Sequence, residues 1–96
     1  MPAPVTIDSF TPLVGRGARL EGASASLVLN RVEAGPAAPP PFRQPFIVVF
    51  RAPRSEPVAA EGLYVCKIDD SAKIELYITP IQTFEPDYQD YQAVFN

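Results

Sequence analysis

Cys66, in the stretch LYVCKID, is the strongest intrinsic nucleophile in the chain. A cysteine attacks as the thiolate, and its pKa falls only beside a cation, a metal or a helix N-terminus. Tyr64, Cys66 and Ile68 alternate as on one face of a strand, which turns the neighbouring Lys67 to the other face. A buried core thiol is therefore expected, cysteine being among the most buried residue types. There is no histidine, so the usual general base, the Ser-His and Cys-His pairs and the commonest metal ligand are all missing. A single cysteine with carboxylates does not compose a usual zinc site.

The carboxylates fare no better as ligands. Glu85, Asp87 and Asp90 lie in EPDYQD, which has neither the alternating ligand positions nor the turn glycine of a calcium loop. With Asp69 and Asp70 they read as solvated charges. GRGARLEG (15–22) lacks the spacing, the lysine and the following helix of a phosphate cradle, and its glycines suit a tight turn at a barrel rim. No catalytic, cofactor-binding or metal-binding residue is assigned, and no enzyme is expected.

Binding chemistry is better represented. AGPAAPPPF (34–42) is rich enough in proline to lie in polyproline II, and Pro36 and Pro39 have a P-x-x-P spacing. Proline also stiffens a loop by restricting the unfolded chain. The segment QTFEPDYQD (82–90) is a second loop, acidic and aromatic. Pro39, Pro40, Pro41 and Phe42 in the first loop, with Phe84 and Tyr88 in the second, are the candidate partner-binding residues. The net charge of −3, with the eight Lys and Arg scattered singly, argues against nucleic acid, whose binding needs clustered cations.

The elements that must position these residues are strands. Twelve prolines and five glycines punctuate the chain, and the apolar residues come in short alternating runs rather than with a helical period. ARLEG (18–22) is a short strand. ASLVLNRVE (25–33) sets Leu27 and Leu29 on one face and Val28 and Val32 on the other. RQPFIVVFRA (43–52) is apolar on both faces, which predicts a central strand. GLYVCKI (62–68) and AKIELYITPI (72–81) flank a short DDS turn (69–71). YQAVFN (91–96) sets Tyr91, Ala93 and Phe95 on one face, with Phe95 expected in the core. FTPLVG (10–15) reads as a strand or an extended lead-in, because Pro12 restricts itself and Thr11. The pattern predicts an all-β fold, a small antiparallel barrel or sandwich of about six to seven short strands with a long Pro-rich loop.

Ninety-six residues make one domain, 1–96, with residues 1–9 as an extended lead-in and 34–42 as the Pro-rich loop. A hydrophobic share of 47% with 20% charged residues predicts a folded chain. MPAPVTIDSF has no basic or apolar region of a signal peptide. The longest apolar run, Phe46 to Phe50, is too short to span a bilayer. A cytoplasmic protein with no membrane partner is the expectation.

FTPLVG, RQPFIVVFRAP, GLYVCKI, LYITPI and YQAVFN together resemble a family of small bacterial proteins known as a domain of unknown function. The family pattern is F-x-P-L-x-G, R-x-P-F leading to F-R-x-P, a G-x-Y strand, and a final Y-x-A-V-F-N. The resemblance runs from Phe10 to Asn96. It implies a standalone β-protein and, through an association with phage-tail-collar-like neighbours, an accessory role in a phage-tail-like assembly. It implies no reaction and no functional residue.

The expected function is a non-enzymatic structural or interaction protein that docks a protein partner or a second copy of itself. The alternative is a small-ligand-binding β-barrel lined by aromatics such as Phe42, Phe46, Tyr64 and Tyr77. Roughly eight strands are needed before a barrel interior holds one small ligand, which favours the first.

Overall fold

The computed structural model describes residues 6–35, 44–71 and 73–95. Six strands form: β1 (Gly17–Leu20), β2 (Leu27–Ala34), β3 (Phe46–Pro53), β4 (Gly62–Ile68), β5 (Ile74–Ile81) and β6 (Tyr88–Phe95). They close into a barrel in the order β1-β2-β3-β6-β5-β4, and every neighbouring pair is antiparallel. The topology is two three-stranded meanders, β1-β2-β3 and β4-β5-β6, joined by the 54–61 connection. Of the two architectures expected, the barrel is the one adopted.

The alternating runs supply the interior. Phe46, Val48, Phe50 and Ala52 of β3 face inward, against Phe95, Ala93, Tyr91 and Gln89 of β6 in direct register. Leu20, Leu27, Leu29, Cys66, Ile68, Leu76 and Ile78 complete a contiguous buried core. β3 lies between β2 and β6, as a run apolar on both faces should. Its outward Val49 is also buried.

Both ends of the barrel are stoppered. FTPLVG is not a strand: the chain makes two 3-10 turns, Ile7–Ser9 and Thr11–Leu13, with Phe10 between them. Proline is tolerated in the second turn because the first N–H groups of a helical turn have no internal partner. The turns deliver the buried Phe10 ring to within 5.9 Å of Phe46 and 5.4 Å of Phe95, centroid to centroid, while Phe46 and Phe95 stack at 4.7 Å. Phe95 is half-buried at the edge of this trio rather than enclosed. Near the other end the backbone N–H of Ala59 donates to the buried Tyr91 hydroxyl at 2.9 Å, tying the 54–61 connection across the mouth.

Two further expectations are corrected. Val32 does not share a face with Val28, because the β2–β3 register shifts between Leu29 and Arg31. One residue inserted into a strand reverses the alternation beyond it. Val32 therefore pairs with the inward Val48 and packs on the core, while Val28 is exposed. The acidic loop also ends earlier than the sequence suggests. Tyr88, Gln89 and Asp90 are already in β6, opposite Pro53, Ala52 and Arg51, a pairing that only the opposite strand can provide. At the rim, Gly15 takes a φ of +91°, open to glycine without steric cost, and its N–H reaches the Leu29 carbonyl at 2.8 Å.

Candidate docking groove

β1 is paired unequally on its two sides. Toward β4 it runs in register at Ala18↔Ile68, Arg19↔Lys67 and Leu20↔Cys66. Toward β2 it pairs only at Gly17↔Val28 and Ala18↔Leu27. Past Ala18 the chain turns at Gly22, whose φ is +88°, and returns through Ala23-Ser24-Ala25-Ser26 without rejoining β1. The Ser26 N–H, which could have served a strand ladder, instead donates to the Glu56 carboxylate at 3.0 Å. Four small residues in a row cannot fill the gap that results. An open groove of about 880 Å³ remains, with Ala18, Leu20, Ala25 and Leu27 among its lining.

The rim carries a charge arrangement that works against stability. Arg19 and Lys67 also line this groove and stand directly opposite each other on adjacent strands. Like charges in that position repel and destabilise the pair. Their cationic neighbours are each neutralised, Arg16 by Asp69 and Lys73 by Glu21, both at 2.7 Å. Among the described residues Arg19 and Lys67 have no such carboxylate. In a chain of net charge −3, four of the eight Lys and Arg therefore gather on β1, β4 and their flanks.

Across the barrel, the β5–β6 loop presents the opposite chemistry. Phe84 is 100% exposed, and Glu85 and Asp87 beside it are exposed. The loop is nonetheless braced. The Glu85 N–H donates to Thr83 Oγ1 at 3.2 Å, and the Tyr88 N–H to the Glu85 carbonyl at 3.2 Å. The Arg54 N–H donates to the Asp87 carbonyl, and the Arg54 guanidinium to the Tyr88 carbonyl at 2.6 Å. At its base Arg51 donates to both oxygens of Asp90, Nε at 2.8 Å and Nη2 at 3.2 Å. The Arg51 guanidinium also lies 4.9 Å from the centroid of the Tyr88 ring. Its hydrogen bonds and charge hold the Asp90 carboxyl below its ordinary pKa despite burial, with Thr83 assisting.

A family model described as a domain of unknown function, DUF6916, matches residues 5–95. The chain belongs to the DUF6916 family. The match runs through all six strands, so groove and acidic loop both fall inside the family's own unit. No curated protein and no solved structure matches the chain.

Of the six candidate residues of this DUF6916 domain, Phe84 and Tyr88 fall among the described residues. Pro39, Pro40, Pro41 and Phe42 lie outside the described residues. Phe84 projects from the loop, whereas Tyr88 is partly covered by Arg51. Among the described residues, the aromatics of the alternative barrel reading do not converge on an interior. Phe46 is spent in the ring trio, Tyr64 donates to the Ala60 carbonyl at 2.6 Å, and Tyr77 is exposed and hydrogen-bonded to Glu61 at 3.0 Å. A second depression, about 470 Å³, is lined by Asn30, Arg51 and Tyr88 among others, but its cation is already committed to Asp90. Cys66 is buried, and burial pushes its thiol up to about 11. Among the described residues no three His, Cys, Asp or Glu are grouped to hold a metal ion, and no helix is long and apolar enough to cross a membrane.

Sequence reading missed Arg19 and Lys67. Their outward direction was legible from strand alternation, but their juxtaposition was not. They are neighbours only because β1 pairs with β4.

Proposed function

We propose that the protein is a non-enzymatic docking module whose groove beside β1 holds an acidic, extended segment of a protein partner. The observation that carries the reading is the uncompensated Arg19–Lys67 opposition at the rim. A like-charge cross-strand pair is a standing cost to the fold, and an incoming carboxylate relieves it. The floor of the groove is backed by the buried Ala18, Leu20, Ala25 and Leu27, so an anchor would rest on the half-buried Ala23 and the aliphatic stems of Arg19 and Lys67. Past Ala18 no strand lies against the β2-facing side of β1, where the Leu20 carbonyl accepts from the Ala23 N–H at 3.1 Å, so the segment would be held by side chains at the rim. Docking of this kind would serve the assembly role that the family resemblance implies.

The probe is a pair of fluorescein-labelled peptides, one with a phenylalanine flanked by glutamates and aspartates, the other with lysines in their place. The acidic peptide binds the wild-type chain saturably and weakens at least about tenfold against the Arg19→Glu/Lys67→Glu double variant. The lysine peptide does not bind wild type. Equal binding of both peptides, or indifference to the double variant, overturns the proposal.

A further inference from the structure

The chain itself carries a segment with the chemistry this groove would select. Resting on the docking reading, we infer that the partner is a second copy, whose β5–β6 loop enters the groove with Phe84 as anchor and Glu85 and Asp87 over Arg19 and Lys67. Three observations converge on this occupant.

The first is the exposure of Phe84. An aromatic ring fully in water forgoes the burial that dominates interface energetics, yet here it stands at 100% exposure on a loop braced by backbone and guanidinium hydrogen bonds. A braced loop loses little conformational freedom on docking, which is how pre-organisation raises affinity. The second is charge. Among the described residues Glu85 and Asp87 form no salt bridge, although the Glu85 charge also acts on Arg51, and Arg19 and Lys67 form none either, so two anions face two cations across the proposed contact.

The third is topology. In the closed order β1-β2-β3-β6-β5-β4, β6 is three strands from β1 in either direction. The loop leading into β6 and the groove beside β1 thus lie on opposite sides of the barrel, and one molecule cannot fill its own groove. The contact joins two different surfaces, which makes it heterologous. Each added molecule still offers a free groove on one side and a free loop on the other, so assembly proceeds head to tail.

The test uses the full chain in sedimentation velocity, from about 10 μM to about 1 mM, at low salt and again near 0.5 M, where surface charges are strongly screened. Wild type sediments faster with concentration, without stopping at two copies, and the growth falls at high salt. Phe84→Ala remains monomeric, as do the groove reversal Arg19→Glu/Lys67→Glu and the loop reversal Glu85→Lys/Asp87→Lys. All three keep the wild-type circular dichroism, since every changed side chain is exposed. Mixing the two reversal variants restores assembly, because each then offers a loop complementary to the other's groove. A wild type that stays monomeric to the top of the range overturns self-docking, as does a closed dimer or assembly indifferent to the reversals. In a monomeric protein, continued capture of the acidic peptide would leave the docking reading intact with a foreign partner. Loss of that capture as well would remove both.

Discussion

Asp90→Asn tests how the β5–β6 loop is held. The substitution keeps the size of the side chain and removes its charge. Arg51 donates to both Asp90 oxygens, at 2.8 and 3.2 Å, and the two side chains are 26% and 5% exposed respectively. An asparagine can accept one of those bonds, but its NH2 group confronts the other donor. The guanidinium then sits partly desolvated without a counter-charge. Hydrogen bonds to charged groups contribute about 1.5–3 kcal/mol, and removing one partner of a fully buried pair costs about 3–5 kcal/mol. Because Arg51 reaches water, the expected loss is about 2–3 kcal/mol, a large share of the roughly 5–10 kcal/mol available to a domain of this size. The melting temperature should fall by roughly 10–20 °C. The assay is urea denaturation of wild type and variant, followed by circular dichroism across a series of pH values. The Asp90 pKa is depressed in the folded state, so its contribution is fully present above the unfolded value near about 3.9 and is lost as pH falls through the folded value. The gap between wild type and variant should be constant near neutrality and shrink below about pH 4. A variant within about 0.5 kcal/mol of wild type at pH 7, or a gap that persists unchanged in acid, refutes the reasoning.

Phe95→Ala removes one ring from the trio with Phe10 and Phe46, and because Phe95 is half-buried the loss should be about 2–4 kcal/mol by chemical denaturation. Deleting residues 91–96 removes five of the eight β3–β6 register pairs and should abolish the cooperative transition. A deletion variant that melts like the full chain would contradict the barrel's dependence on β6. Cys66 should resist a thiol reagent near neutral pH in the folded protein and react fully in denaturant, since both burial and the raised pKa suppress the thiolate; rapid labelling of the native protein would show that β4 opens.

Local chemistry made the strands legible. Period-two alternation marks which residues of β3, β4, β5 and β6 face inward, because a pleated chain with one wet face has only that way to bury apolar area. The same local reasoning erred where a tertiary partner intervened. Val32 turned inward at a bulge set against β3, and Tyr88 to Asp90 joined β6 because Arg51 to Pro53 offered a strand to pair with. FTPLVG contributes a 3-10 turn, Thr11–Leu13, rather than a strand, and the turns on either side of Phe10 seat its ring against Phe46 and Phe95.

The amino-acid sequence by itself determined the all-β class, the inward faces of β3 to β6, the core position of Cys66 and the absence of any histidine-based chemistry. These follow from residue types and nearest-neighbour spacing. The tertiary structure alone decided the candidate site. Arg19 and Lys67 are 48 positions apart in the chain, and nothing local brings them face to face. Closure of β1 onto β4 does so, and the turn at Gly22, after which the chain does not rejoin β1, opens the groove toward β2. Strand order is a long-range property, set by how six short strands share one core, and the placement of the charges follows from it.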